Sequence, residues 1–384
     1  MANLSACPVS KKCGGCQLQN MDYERQLRYK QSVAVKHLAK YGRVEQIIGM
    51  KNPTHYRNKV QAAFGKTRSG MIISGVYQSG THNIVRVDEC MIEDKKADEI
   101  IVSIRNMLKS FRMYPYDEDK RTGFLRHVLI KRGFKTGEIM VVIVGASPIF
   151  ASKNNFVKAL LKLHPEITTV IFNVNSADTN LVLGERESVL HGKGYIVDEL
   201  CGCRFRISSR SFYQINPVQT EILYSKAMDF AQLDGTQTVI DAYCGIGTIG
   251  LVAATRAKSV LGVELNRDAV KDAKENAALN NAGNIRFICA DAGDFMEEAA
   301  SSQHTDVVFM DPPRAGSTQK FLSSLIKLSP EKIVYISCNP ETLGRDLYYI
   351  TGHSKYRVKK IQPVDMFPHT KHVETCVLLS HKNS

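Results

Sequence analysis

No run of apolar residues in this 384-residue chain is long enough to cross a bilayer; the longest, such as residues 139–149, fall well short of the ~18–20 that a spanning helix needs. Internal repeats and low-complexity tracts are missing too. With 43% hydrophobic and 23% charged residues, the composition excludes a fibrous protein and wholesale disorder. The N-terminus is polar and carries three cysteines within ten positions, Cys7, Cys13 and Cys16, so it is not expected to be an export signal. Cysteine is too sparse for a disulfide scaffold: ten are spread over a chain long enough for two or three domains. A reducing, cytoplasmic location is therefore expected, with no membrane partner. Acidic residues are outnumbered, 38 Asp and Glu against 51 Lys and Arg, which leaves a formal charge of +13. Such an excess suits a polyanionic partner, because each neutralised phosphate releases condensed counterions, although a merely basic enzyme would look the same.

Three segments follow from the pattern. In residues 1–45, Cys7-Pro-Val-Ser-Lys-Lys-Cys13-Gly-Gly-Cys16 is a thiol cluster of the kind that holds a metal in a reducing compartment. Residues 17–41 read as one amphipathic helix, with Met21, Leu27, Val33 and Leu38 apolar and Arg25, Arg28, Lys30, Lys36 and Lys40 on a basic face. Residues 46–207 turn to short β-prone runs at 59–64, 71–77, 124–131, 138–144 and 169–174, with helical stretches at 97–111 and 154–164. That predicts an α+β domain with a mostly antiparallel sheet. Residues 208–384 alternate regularly. Strands at 238–243, 259–265, 285–290, 306–310 and 332–337 are interleaved with helices at 249–257, 267–280, near Asp294, and at 318–328 and 341–350, before a last strand at 373–380. This order predicts a Rossmann-like α/β domain, a parallel sheet with helices on both faces that binds its ligands at the carboxyl ends of the strands.

The first of these strands ends in Asp241-Ala242-Tyr243-Cys244-Gly245-Ile246-Gly247-Thr248-Ile249-Gly250. The Gly-x-Gly-x-x-Gly spacing lets a ligand approach the backbone closely, and Glu264, 19 residues after Gly245 at the end of the second strand, is placed for ribose hydroxyls. A nicotinamide dinucleotide and S-adenosylmethionine would be served equally by both features. The fourth strand separates them, because it runs into Asp311-Pro312-Pro313-Arg314. Two prolines fix a rigid turn and put Asp311 in the cleft. A dehydrogenase has no use for that turn, whereas nucleic-acid methyltransferases commonly carry an acid-Pro-Pro motif there. Arg314 in place of a stacking aromatic argues against methylation of a base amino group. Cys338 ends the fifth strand just before a helix, where the positive end of the dipole is expected to lower its pKa and suit it to be a nucleophile. Cys201, Cys203, Cys244 and Cys289 read as buried structural thiols. Glu374, at the start of the last strand, could serve as a general base. A non-catalytic RNA-binding protein with a metal knuckle would need the cysteine cluster but not Cys338 and Glu374 together.

Together these residues resemble the RNA uracil-5-methyltransferase family over nearly the whole chain. Five motifs in the family's order carry the resemblance: Ser211-Phe212-Tyr213-Gln214-Ile215-Asn216, Asp241-Ala242-Tyr243-Cys244-Gly245, Asp311-Pro312-Pro313-Arg314, Ser337-Cys338-Asn339-Pro340 and His369-Thr370-Lys371-His372-Val373-Glu374. The resemblance implies S-adenosyl-L-methionine as cofactor, with Gln214, Tyr243, Gly245, Thr248, Glu264, Asp291 and Asp311 lining its site. Thr248 stands where some relatives carry asparagine, and Asp291 matches the pattern only loosely. It further implies Cys338 as the nucleophile that attacks C6 of uracil and Glu374 as the base that clears the C5 proton. The target base must leave its stack, by flipping or in a single-stranded loop. By spacing alone, four thiolates would suit zinc as well as iron and sulfur. The family's ribosomal-RNA branch resembles this chain in its cysteines, which implies a [4Fe-4S] cluster on Cys7, Cys13, Cys16 and Cys90, and 23S ribosomal RNA as substrate with transfer RNA as the alternative. Many relatives begin with an OB-like RNA-binding domain, for which there is no room before Cys7. RNA contact is then expected from the cluster region and the α+β domain, with Tyr56-Arg57-Asn58-Lys59 and Leu125-Arg126-His127 as candidates, in a monomeric enzyme.

Overall fold

The computed structural model describes residues 7–78, 80–302 and 304–381. They divide into two compact units that share the chain in an interleaved way. One holds residues 7–20, 53–198 and 207–210, the other 21–52, 199–206 and 211–381. The first element among the described residues is a single turn, α1 (Ser10–Cys13), stopped by Gly14 at φ 69, and next comes α2 (Tyr23–Leu38), capped by the Asp22 carboxylate.

The first unit is built on seven strands: β1 (Lys59–Lys66), β2 (Ile72–Tyr77), β3 (Ile84–Arg86), β4 (Leu125–Arg132), β5 (Ile139–Gly145), β6 (Ile167–Val174) and β7 (Arg186–His191), in the order β3-β2-β1-β4-β5-β6-β7. Helix α3 (Lys95–Met107) follows β3, and α4 (Lys153–Leu163) joins β5 to β6, the one parallel pair; every other pair is antiparallel. Ile100 and Ile104 of α3 and Phe156 and Leu160 of α4 close a core with Val128, Ile130, Val141 and Ile143 of the sheet. β7 escapes a sequence reading because every position from Arg186 to His191 is exposed or half-exposed, leaving no apolar alternation to see. The second expected RNA-contact motif proves to be interior. β4 is a central strand, so Leu125, Arg126 and His127 are all buried. The Arg126 guanidinium is held by Glu118 at 3.0 and 2.8 Å and by the Asn175 and Ala177 carbonyls, while burial pushes His127 down to about 4. In the first motif Tyr56 and Asn58 are buried, and Arg57 and Lys59 are half-exposed.

A two-stranded sheet, β8 (Ile196–Leu200) with β9 (Cys203–Ile207), precedes the second unit's main run. That run is α5 (Pro217–Ala231), β10 (Thr238–Ala242), α6 (Thr248–Ala254), β11 (Ser259–Glu264), α7 (Arg267–Leu279), β12 (Ile285–Cys289), α8 (Ala292–Ser302), β13 (Val307–Met310), α9 (Gln319–Leu328), β14 (Lys332–Ser337), α10 (Pro340–Gly352), β15 (Tyr356–Val364) and β16 (Glu374–His381). The sheet order is β12-β11-β10-β13-β14-β16-β15, parallel through β14 and antiparallel for the last two. The chain moves outward from β10 to β12 and then restarts at β13, so the order reverses between β10 and β13, where doubly wound sheets open a ligand crevice. β15 is legible only in retrospect: Arg357, Lys359, Lys360 and Pro363 hide its strand character, tolerable because it is an edge strand.

Helix α2 departs from expectation in two ways. It starts at Tyr23 rather than at 17, and it belongs to the second unit, so the boundary expected at residue 45 lies instead after residues 20 and 52. The cause is its buried stripe of Gln26, Lys30, Ala34 and Leu38, spaced four apart, with Leu38 entering the core of Val308, Phe321, Ile333 and Leu347. Lys30, expected on the basic outer face, is fully buried and paired with Asp365 at 2.5 Å. Among the described residues, no helix is long and apolar enough to cross a membrane.

Candidate active site

After β10 the backbone turns sharply. Tyr243, Gly245 and Gly247 take φ of 65, 55 and 83, a left-handed region that glycine enters without penalty. Gly247 has a second reason to lack a side chain, since a Cβ there would come within 2.8 Å of the Phe287 ring. Gly250 donates to the buried Asp241 carboxylate at 2.7 Å, and a Cβ on it would meet that oxygen at 2.9 Å. Burial pushes Asp241 up to about 8. Glu264, at the end of β11, is fixed by two backbone donors, Gly245 N–H at 3.0 Å and Asn266 N–H at 2.8 Å. Asp291 uses one oxygen to accept the Gly293 and Asp294 amides, and the Tyr224 hydroxyl meets Thr248 at 3.0 Å.

The Asp-Pro-Pro-Arg turn after β13 is clamped by α10. Thr342 donates to the Arg314 carbonyl at 3.2 Å, Arg345 to the Ala315 carbonyl at 2.9 Å, and Asp346 accepts both the Ser317 amide and the Tyr335 hydroxyl. The turn, the glycine loop and the ends of β11, β14 and β16 enclose a cavity of about 850 Å³. Gln214, Tyr243, Gly245, Thr248, Glu264, Asp291, Asp311, Cys338 and Glu374 all line it, so the residues singled out from sequence meet in one place.

Its electrostatics differ from the expectation for Cys338. The thiol does precede α10, whose cap is Asn339, yet its pKa is pushed up to about 11. Burial is the largest cause, and the Glu374 and Asp311 carboxylates add to it, while Arg314 opposes them. The local carboxylates and lost solvation outweigh the dipole. Burial likewise pushes Glu374 up to about 8, with Asp311 adding to it, and Asp311 itself up to about 7. Arg314 donates from Nη2 to His372 Nδ1 at 2.8 Å, and burial and that guanidinium depress the His372 pKa.

Segment 365–370, which leads into Glu374, is fixed by α2 and α5. Lys30 donates to Asp365 and to the Phe367 carbonyl at 2.9 Å, and Tyr23 donates to Asp365 at 2.8 Å. Gln26 donates to His369 Nδ1 at 3.1 Å and accepts the His369 amide at 2.9 Å, with His369 at φ 68. From α5 and its cap, Gln219 donates to the Asp365 carbonyl and Asn216 to the Met366 carbonyl.

The model of the tRNA (uracil-5-)-methyltransferase family matches residues 22–382. The chain belongs to that family. It is 43% identical over 383 residues to an uncharacterized RNA methyltransferase of Halalkalibacterium halodurans, covering 98% of this chain and 83% of the relative. A Staphylococcus aureus relative of the same description is 38% identical, over 98% of this chain and 84% of its own. Among solved structures, the Pyrococcus abyssi tRNA (uracil-54, C5)-methyltransferase in complex with S-adenosyl-L-homocysteine superposes with a TM-score of 0.80 at 29% identity, covering 95% of this chain and 85% of that one. This family member is an S-adenosylmethionine-dependent RNA methyltransferase. The cavity suits that cofactor, since a glycine turn bares its backbone beside a carboxylate at the next strand end.

The methyltransferase cavity also takes in Phe212, Tyr224, Arg314, Phe367 and His372, to which the sequence reading gave no part in the site. Phe212, Arg314, Phe367 and His372 sit within or beside the quoted motifs, so the signal was present; buried Tyr224 lies in an ordinary helix and gave none. Cys7, Cys13, Cys16 and Cys90 all fall in the first unit. Burial and the nearby Cys13 and Cys7 push Cys16 up to about 11, so three of the thiols are neighbours. Nevertheless, among the described residues no group of three or more His, Cys, Asp or Glu is arranged to hold a metal ion.

Proposed function

We propose that this methyltransferase modifies C5 of a uridine in RNA, with Cys338 as nucleophile and Glu374 as base. The observation that carries the reading is the shared cavity: the thiol and the carboxylate line it together, close enough for the carboxylate's charge to raise the thiol's pKa. Gln214, Tyr243, Gly245, Thr248, Glu264, Asp291 and Asp311 hold S-adenosyl-L-methionine. That cofactor supplies an electrophilic methyl group. Uracil C5 is a poor nucleophile until Cys338, its proton released to solvent, bonds as the thiolate to C6 and drives electron density onto C5. Methylated C5 still carries its hydrogen. Glu374 takes that proton, the C5–H electron pair restores the C5–C6 double bond, and the C6–sulfur bond breaks to return the Cys338 thiolate. Burial makes Glu374 a stronger base once ionised, because a raised pKa is a raised proton affinity.

Ribosomal RNA is the substrate we favour, on the resemblance of the cysteines to those of the ribosomal branch, and that resemblance, not the spacing alone, is our ground for a [4Fe-4S] cluster on Cys7, Cys13, Cys16 and Cys90. A second reading, transfer RNA, is favoured by the likeness to the Pyrococcus abyssi enzyme. Tritium-labelled S-adenosylmethionine with unmodified 23S ribosomal RNA or transfer RNA separates the two, by which RNA yields labelled 5-methyluridine. Cys338→Ala is expected to abolish that product while S-adenosylhomocysteine binding persists; normal turnover by the variant would overturn the assigned role. An anaerobic preparation is expected to contain about four irons per chain. Stoichiometric zinc instead would exclude the cluster.

A further inference from the structure

The first unit holds a second cavity, of about 900 Å³, that the methyl-transfer chemistry does not use. It lies between the β1–β2 hairpin and the 114–123 segment, and its wall carries Tyr77, Tyr114 and Tyr116 together with Lys66, Arg68 and Lys120. Tyr114 is 57% exposed, a large ring with no burial to explain it. The Lys66 ammonium stands 4.7 Å from the centre of that ring, so an aromatic surface and a positive charge are presented at one point.

The charge balance inside the cavity is uneven. Each of its carboxylates already has a basic partner: Glu118 the buried Arg126, Asp117 Lys120 at 3.1 Å, and Asp119 the His82 imidazole at 2.8 Å. Lys66 and Arg68 have no carboxylate within ion-pair distance among the described residues, and both are exposed. Arg68 is carried on a stiff turn, in which Thr67 accepts the Gly70 amide on its carbonyl (2.9 Å) and the Met71 amide on its hydroxyl (3.1 Å). What remains uncompensated is a ring to stack on and two cations beside it, the combination by which proteins hold unpaired nucleotides.

We propose that this cavity holds an unpaired nucleotide of the RNA substrate other than the methylated uridine, its base stacked on Tyr114 and its phosphates met by Lys66 and Arg68. The inference rests on RNA being the substrate of this enzyme. It deepens that reading by adding a contact that recognises unstacked RNA in the first unit.

The test uses the full-length protein without S-adenosylmethionine, so that a failed uridine-methylation assay leaves the binding result standing. The probe is a fluorescein-labelled twelve-residue oligoadenylate, free or paired with its complement. Tyr114→Ala is expected to weaken binding of the single strand about tenfold, with the duplex little changed, and Tyr114→Phe to restore it, because stacking needs the ring and not the hydroxyl. Lys66→Ala with Arg68→Ala is expected to flatten the salt dependence of binding, since two phosphate contacts release fewer counterions when lost. An oligonucleotide bearing 4-thiouridine should crosslink to the tryptic peptide 113–120. Single-strand affinity of Tyr114→Ala within twofold of wild type would overturn the proposal. Equal loss in Tyr114→Phe, or crosslinks that avoid that peptide, would overturn it too.

Discussion

After burial, the Glu374 carboxylate is the largest cause that raises the pKa of the Cys338 thiol. Because the Glu374 charge raises the thiol's pKa, Glu374→Gln should lower it, moving the pH dependence of Cys338 alkylation by iodoacetamide toward neutrality. Peptide mass spectrometry, which separates Cys338 from the other nine cysteines, reads the shift; an unmoved or higher midpoint would contradict the pairing. The same variant should stall at proton removal and accumulate a methylated protein–RNA adduct that survives denaturing electrophoresis and is absent from Cys338→Ala. Stability carries a matching signature. An acid raised from 4.5 to about 8 by folding contributes fully below its unfolded pKa and loses that contribution as pH rises through about 8. Glutamine mimics the neutral form, so the Tm of Glu374→Gln relative to wild type should climb between pH 5 and pH 9. The positions of these two residues could be read from sequence because both adjoin apolar strands. The direction of the thiol's shift could not, since helix dipole and burial oppose each other and only the three-dimensional surroundings decide between them.

The elements divide in the same manner. β10, β11, β13 and β14 are short apolar runs ending in the residues that line the cavity, and alternation with helices sufficed to find them. The role of α2 was hidden, because its buried face contains a lysine that looks like surface charge until Asp365 is brought to it from the far end of the chain. Removing one member of a buried pair leaves the other charge without compensation, at a cost of about 3–5 kcal/mol. Lys30→Met should lower the Tm correspondingly and, by loosening the segment before Glu374, lower kcat as well. Lys30→Met combined with Asp365→Leu should recover much of the stability, because neither charge is then stranded. Thermal melts of the single and double variants check this; additive losses would show that the pair is not the cause.

At the scale of the whole molecule, a net charge of +13 fits a polyanionic substrate, and log affinity for RNA should fall linearly with log salt. Salt-independent binding would count against phosphate contact. The interleaving of the two units also constrains truncation. A fragment starting at residue 208 contains the whole sheet of the second unit but lacks α2, so Leu38 leaves its core and the Phe367 carbonyl and Asp365 lose Lys30. That fragment should be far less stable than the full chain, and a second piece spanning residues 21–52 should restore S-adenosylhomocysteine binding to it by association.

Lys30 and Asp365 lie 335 positions apart, and that separation gives the fold a schedule. At synthesis rates of about 5–20 residues per second, roughly 17–70 s pass on the ribosome between the emergence of α2 and that of its partner. During that interval residues 53–198, contiguous in sequence, can complete most of the first unit, while α2 waits with its inner stripe uncovered. A lysine in the middle of that stripe keeps the waiting helix wettable on every side. The charge that pairs with Asp365 in the finished enzyme thus has no such partner on the nascent chain until residue 365 has been made.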